Sequence, residues 1–185
     1  MRYFEHKLKT PLTNDARLIC YIPDNSEEIE PHRKRRAIII CPGGSYAKTS
    51  DREAEPIALE LLSMDCAVCI LRYSCAPRRF PKALCELAQS VLFLKENAER
   101  FNIDEGKILV MGFSAGGHLA ACLGIIPDEL EKLGYDEKLI RPAGMILCYP
   151  VITSGRYWHQ GSFENLLGDE LMERSSAFSL EKRVN

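Results

Sequence analysis

The sequence lacks the hydrophobic segments that would send a chain to a membrane or anchor it there. Residues 1–10 contain no apolar core of the kind that secretory signals carry. The longest apolar runs, such as Cys66–Leu71, are far too short to span a bilayer. The sequence therefore predicts a soluble, cytoplasmic protein without a membrane partner.

An excess of charge of either sign is also missing. The chain has 185 residues, with 24 basic and 26 acidic side chains and a net charge of −2. This balance gives no sign of the excess of basic residues that nucleic-acid-binding proteins carry. The one basic run, residues 33–36, precedes an apolar segment and is expected to form a solvated turn.

Cysteine is abundant, but its spacing does not fit a metal site. Among eight cysteines, Cys66 and Cys69 form the single C-x-x-C pair, and no second pair or histidine partner accompanies it. The run around them resembles a buried strand, on which residues three apart face opposite sides. We therefore predict core cysteines and no metal, and the many unpaired thiols fit a reducing cytoplasm.

Repeats and low-complexity tracts are absent, and apolar segments alternate with helical patterns instead. Several segments are nearly continuous apolar runs, which is typical of parallel strands covered on both faces. The five predicted strands are Arg17–Ile22, Arg36–Cys41, Cys66–Leu71, Lys107–Gly112 and Met145–Tyr149.

Helical patterns lie between the later strands. The clearest is an apolar stripe at 84, 87, 88, 91 and 92, and Pro56 must lie in the first turn of its own helix. A short helix is expected around Asp128–Leu133. Alternation of strands and helices predicts right-handed crossovers and a doubly wound α/β sheet in a single domain, 1–185.

Residues 112–116 form a G-x-S-x-G motif centred on Ser114. The pattern alone arises in roughly 5% of chains of this length. A predicted strand precedes it and a helical segment follows, which is the strand–turn–helix setting of a nucleophile elbow. Such a strained turn lifts the serine hydroxyl above the sheet, and the helix N-terminus favours a developing oxyanion. The motif predicts Ser114 as the nucleophile.

A diglycine loop, Pro42–Ser45, follows the second predicted strand. Acyl transfer needs two backbone N–H groups directed at the oxyanion. One is expected from Ala115, directly after the nucleophile, and the other from this loop, because glycine lets the backbone approach a substrate closely. An ordinary glycine turn is the alternative.

With these motifs the chain resembles the α/β-hydrolase esterase and lipase superfamily, in its hormone-sensitive-lipase-like and acetyl-xylan-esterase-like branch. The H-G-G-G-type loop of that family reads Pro-Gly-Gly-Ser here, and the resemblance places its oxyanion donors at Gly44 and Ser45. Stretches at 50–56, 71–74 and 161–168 are similar to the same branch. The resemblance implies an α/β-hydrolase-like, mostly parallel sheet that is missing its last strands.

The family orders its triad as serine, acid and histidine along the chain. Only two histidines follow Ser114 here. His118 is expected to be packed or hydrogen-bonded within its helix, and His159 to be a surface or pocket-wall residue. We therefore expect a C-terminally truncated, incomplete domain whose last strand, Met145–Tyr149, forms an exposed edge through which chains could associate.

The resemblance implies a carboxylic ester hydrolase that acts on short acyl esters, acetylated sugars included, without a cofactor or metal. Its activity is expected to be impaired, because loss of the triad histidine costs ~10⁶ in turnover. The alternative is a non-catalytic fragment or binding module that retains the pocket. A serine peptidase of the prolyl-oligopeptidase type shares the elbow, but the chain shows no propeller domain or additional N-terminal region.

Overall fold

The computed structural model describes residues 1–184, and a six-stranded sheet forms its centre. The strands are β1 Arg2–Lys7, β2 Arg17–Ile22, β3 Arg35–Cys41, β4 Ala67–Arg72, β5 Ile103–Phe113 and β6 Gly144–Cys148. The α-helices are α1 Glu55–Ser63, α2 Lys82–Glu96, α3 Ala115–Ile125, α4 Asp128–Glu131, α5 Glu137–Ile140, α6 Gln160–Leu167 and α7 Leu171–Arg174. Short 3₁₀ helices occupy Asp51–Glu53, Gly168–Glu170, Ser175–Phe178 and Leu180–Lys182.

The sheet order is β1-β2-β4-β3-β5-β6. Strands β4, β3, β5 and β6 are parallel, whereas β1 and β2 are antiparallel to their neighbours. The carboxyl ends of β3 and β5 therefore meet at one edge of the sheet, where ligands of such folds bind. The predicted doubly wound, mostly parallel α/β architecture is confirmed.

The β1 strand was not predicted from the sequence. Its residues alternate between half-buried and exposed positions, so the segment contains no apolar run. Pairing with β2 along its whole length, from Arg2 opposite Ile22 to Lys7 opposite Arg17, makes it a strand. The five predicted strands are present, Arg17–Ile22 with the predicted ends and the other four with shifted ends, and Pro56 lies in the first turn of α1 as predicted.

Two apolar cores cover the two faces of the sheet. α2 and α3 pack on the larger core, whereas α1 covers the smaller one through Ala58. Cys69 belongs to the larger core and Cys66 to the smaller. The prediction that these two thiols face opposite sides is confirmed, and residues 1–184 contain no cluster of potential metal ligands.

The β6 strand is an exposed edge of the sheet in the described part of the chain. It pairs with β5 on one side, and Met145, Ile146 and Leu147 are each more than a third exposed. This agrees with the predicted apolar edge. Throughout residues 1–184, each helix is either too short or too polar to traverse a lipid bilayer.

Candidate functional site

Ser114 occupies the turn between β5 and α3. Its backbone has φ 52° and ψ −118°, a conformation that L-residues rarely adopt. The amide of Ser114 donates to the carbonyl oxygen of Cys148 at 3.0 Å, and its own carbonyl accepts from Val151 N at 3.1 Å. These bonds to the end of β6 hold the strained turn that a nucleophile elbow requires.

The two glycines of the motif allow β5, α3 and β3 to approach one another. A Cβ atom on Gly112 would lie 2.1 Å from the carbonyl oxygen of Gly116. A Cβ atom on Gly116 would lie 2.0 Å from the carbonyl oxygen of Cys41, at the end of β3. The diglycine loop that follows Cys41 is thereby held against the elbow.

The diglycine loop turns sharply after β3. Gly44 has φ 130° and Ser45 has φ 58°. Among the hydrogen bonds within residues 1–184, none has the amide of Gly44, Ser45 or Ala115 as its donor. Three backbone donors near the elbow are therefore available to another acceptor.

Side chains from three other elements contact the backbone of the diglycine loop. The Tyr73 hydroxyl donates to the carbonyl oxygen of Pro42 at 2.6 Å, and the Asn165 amide donates to that of Ser45 at 3.0 Å. Glu53 accepts from the amide of Gly43 at 2.8 Å. The loop is therefore fixed in one conformation rather than left as a free turn.

A cleft of about 500 Å³, here called the Ser114 cleft, opens at this end of the sheet. Its lining is polar and charged, and comprises Gly44, Lys48, Thr49, Ser50, Asp51, Arg52, Glu53, Ser114 and Tyr149. The structure thus brings Gly44 and Ser114 together in one cleft. Ser45 and Ala115 are their chain neighbours but do not line it.

Neither histidine that follows Ser114 in the chain hydrogen-bonds to it. His118 is buried, with Nδ1 2.9 Å from the Tyr46 hydroxyl and Nε2 3.1 Å from the carbonyl oxygen of Phe178. His159 is exposed, and its Nδ1 lies 2.9 Å from Ser162 Oγ. The predictions of a packed His118 and a surface His159 are confirmed.

Burial keeps His118 neutral. Because a carbonyl oxygen can only accept, Nε2 carries the proton, and Nδ1 accepts from Tyr46. Desolvation lowers the pKa of His118 to about 4, against a smaller opposite effect of the hydrogen bond to Phe178. The ring therefore links α3 to Tyr46, directly after the diglycine loop, and to the 3₁₀ helix that contains Phe178.

This lowered pKa predicts a loss of stability in mild acid. The unfolded chain binds a proton at His118 below pH 6.5, whereas the folded protein resists protonation down to about pH 4. The free energy of unfolding should therefore fall by ~2 kcal/mol between pH 6.5 and 5 through this group. Urea titrations at several pH values measure the slope of this free energy against pH.

A His118→Gln variant provides the comparison for that slope. It should show a flatter pH dependence between 6.5 and 5 than the wild type. His32→Gln, at an exposed position, serves as the matched control and should keep the wild-type slope. Parallel curves for wild type and His118→Gln would contradict a histidine held neutral.

Three of the residues that surround the elbow were not predicted from the sequence. Glu53, Asn165 and Tyr73 lie in stretches that are similar to the esterase branch, but no role was predicted for their side chains. No local pattern marks them, because each contacts a loop between 10 and 120 residues away in the chain.

Comparison with known protein families gives one match that covers most of the chain. The BD-FAE family model matches residues 20–141, which include the diglycine loop, the elbow and α3. The matched region therefore contains both motifs around Ser114.

Two of the individual relatives are named as a xylanase and an acetylxylan esterase. Endo-1,4-beta-xylanase B of Butyrivibrio fibrisolvens is 35% identical over 82% of this chain and 25% of its own length. The acetylxylan esterase of Xylanibacter ruminicola is 30% identical over 84% of this chain and 29% of its own length. The chain therefore spans less than a third of these relatives.

Among solved structures, the acetyl ester-xyloside bifunctional hydrolase from Caldicellulosiruptor lactoaceticus is similar, with a TM-score of 0.79 and 30% identity. The match covers 96% of this chain and 65% of that structure. The fold around the Ser114 cleft is thus shared with an enzyme that is larger than residues 1–185.

Proposed function

The chain belongs to the BD-FAE family and has the α/β-hydrolase fold, and on this basis we propose that it is the nucleophile-bearing part of a carboxylesterase for short acyl esters. The observation that carries the proposal is the position of Ser114. It lies on a turn with positive φ, at the N-terminus of α3, and lines the same cleft as Gly44. A plain strand-to-helix turn needs no such backbone strain.

In the proposed reaction, Ser114 Oγ gives up its proton and bonds to the acyl carbon, the ester C–O bond breaks, and the alcohol leaves after taking up a proton. The negative charge on the acyl oxygen would be accepted by the free amides of Ala115 and of Gly44 or Ser45. The N-terminus of α3 adds a favourable field at the same place. Water then releases the acyl group from the serine.

A general base is required to take the proton from Ser114 and later to activate that water. His118 and His159 are engaged with other groups, and neither hydrogen-bonds to Ser114. We therefore propose that residues 1–185 alone have impaired turnover. The base and its acid partner would have to come from polypeptide other than residues 1–184.

The proposed substrates are acetyl and other short acyl esters on a polar alcohol such as a sugar. The charged and polar lining of the Ser114 cleft suits a hydroxyl-rich leaving group better than a long alkyl chain. The relatives named for acetylxylan and xyloside hydrolysis support the same class. The eight unpaired cysteines support a reducing, cytoplasmic environment.

The test is covalent acetylation of Ser114 by p-nitrophenyl acetate, followed by intact mass and peptide mapping. Nitrophenolate leaves without a proton donor, so acylation proceeds slowly without the base. Release of the acetyl group needs an activated water, so the label should accumulate to one acetyl per chain. Comparing turnover rates is less informative, because turnover also requires release of the acetyl group, which is slow without the base.

A Ser114→Ala variant should carry no such label, whereas Ser50→Ala, at a second serine of the cleft, should keep it. Equal labelling of wild type and Ser114→Ala, at scattered lysines, would refute the assignment of the nucleophile. A folded wild type that is never labelled at Ser114 would favour a non-catalytic fragment or binding module.

A further inference from the structure

One charged residue of the Ser114 cleft has no role in the proposed reaction, although both of its oxygens are engaged. Glu53 ends the 3₁₀ helix that precedes α1. Its Oε2 accepts the amide N–H of Gly43 at 2.8 Å, and its Oε1 accepts the Tyr149 hydroxyl at 2.8 Å. The carboxylate therefore joins the diglycine loop after β3 to the end of β6, across the mouth of the elbow.

The carboxylate is also next to the nucleophile. A Cβ atom on Gly43 would lie 2.7 Å from Glu53 Oε2 and 3.0 Å from Ser114 Cβ. A fixed negative charge near the nucleophile opposes a developing oxyanion. Electrostatics alone would therefore disfavour a glutamate here, and its presence requires another explanation.

That explanation lies in the orientation of peptide planes. Gly43 is held on both sides by one segment, because its N–H donates to Glu53 and its carbonyl accepts from Ser50 N at 2.8 Å. The carbonyl of Gly43 and the N–H of Gly44 belong to one planar trans peptide and point in opposite directions. Fixing the carbonyl therefore fixes the direction of the Gly44 donor.

The next peptide is held in the same way. The carbonyl of Gly44 accepts from Ala47 N at 2.9 Å and from Lys48 N at 3.2 Å, which fixes the N–H of Ser45. Gly43 comes directly before these two peptide planes in the chain, and a glycine would otherwise rotate easily about its backbone bonds. Glu53 holds the Pro42–Gly43 plane through the Gly43 N–H, and Ser50 N holds the Gly43 carbonyl, so the two bonds together remove this freedom.

We propose that Glu53 is a positioning residue, which orients the backbone donors of the diglycine loop through Gly43 and is itself held by Tyr149. This inference rests on the proposed function of the loop as an oxyanion site. Partial desolvation and the hydrogen bond to Glu53 raise the pKa of Tyr149 to about 12, so the phenol stays a donor at neutral pH.

The first test does not depend on activity. In ¹⁵N-labelled protein, the amide proton of Gly43 should shift as pH is lowered through the titration of Glu53, and Glu53→Gln should abolish that shift. Glu60→Gln, at an exposed position on α1, is the matched control and should retain it. A Gly43 amide that does not respond in the folded wild type would overturn the proposal.

The second test uses the acetylation of Ser114. Glu53→Gln should lower the maximum acetylation rate by about 10- to 100-fold, the usual effect of a misplaced oxyanion donor, and change the half-saturating ester concentration by less than about 3-fold. Tyr149→Phe, which leaves the carboxylate in place, should cause a smaller loss. A faster rate in Glu53→Gln would mean that the carboxylate acts only as an unfavourable charge, and would overturn the proposal.

The two tests separate this inference from the proposed function. An unlabelled wild type with a pH-responsive Gly43 amide would refute the esterase and keep the Glu53 link. A labelled wild type with an unresponsive Gly43 amide would keep the esterase and refute the Glu53 link. If Glu53→Gln does not fold, Tyr149→Phe must show both reduced labelling and faster hydrogen exchange of the diglycine loop, or the proposal fails.

Discussion

A Gly116→Ala variant is expected to lose about 3 kcal/mol or more of its free energy of unfolding, at or above the upper end of overpacking effects. Its Cβ atom would lie 2.0 Å from the carbonyl oxygen of Cys41 and 2.5 Å from that of Pro42. Both are backbone atoms, so no change of rotamer can relieve the contact, and α3 must move away from β3. Thermal unfolding followed by circular dichroism should show a Tm lower by about 6–12 °C.

The matched control is Gly161→Ala, in the first turn of α6. The nearest atom to an added Cβ there is His159 Cε1, at 3.9 Å, which is an ordinary van der Waals contact. Alanine also favours a helix over glycine by up to ~1 kcal/mol. This variant should be as stable as the wild type or more so. Equal stability of Gly116→Ala and wild type would contradict the close approach of β3 to α3.

A Glu86→Ala variant is expected to cost about 3–5 kcal/mol, because each buried hydrogen-bond donor left without a partner costs ~1–3 kcal/mol. Glu86 lies on α2 and is fully buried. Its carboxylate accepts from Thr13 Oγ1, from Ser74 N and from Ser74 Oγ, each at 2.6 Å. Alanine would leave these donors without a partner and open a cavity, so urea denaturation should show a large fall in the midpoint.

The exposed Glu96, on the last turn of the same helix, provides the control. Glu96→Ala should change the free energy of unfolding by less than about 0.5 kcal/mol, as surface substitutions do. The loss of stability in Glu86→Gln should lie between those of Glu86→Ala and Glu96→Ala. Glutamine keeps one acceptor oxygen but turns an NH₂ group towards a donor. A Glu86→Ala protein as stable as Glu96→Ala would show that the network contributes little.

The Glu86 network also supports the Ser114 cleft. Ser74 directly follows Tyr73, whose hydroxyl donates to Pro42 at the start of the diglycine loop. The loop is therefore connected to the core through α2 as well as through Glu53. Glu86→Ala protein that stays folded at low temperature should be acetylated more slowly at Ser114 than Glu96→Ala protein.

Local pattern was sufficient to predict the strands that lie inside the sheet and the turns that follow them. An apolar run such as Ala37–Cys41 is typical of a strand covered on both faces, and the glycine pair soon after it favours a tight turn. The G-x-S-x-G turn is equally local, because Gly112 and Gly116 lie within one strand–turn–helix unit. These features depend on residues a few positions apart.

The positions of Ser114 and the diglycine loop, together with the α/β class, were thus determined by the sequence itself. The β1 strand, the neutral His118 and the contacts of Glu53 and Asn165 were decided only by the tertiary structure. Each of these depends on a partner distant in the chain, as in the bond from Asn165 to Ser45 across 120 residues. Hydrogen bonds between such residues form only after the sheet has brought their backbones together, so no local periodicity encodes them.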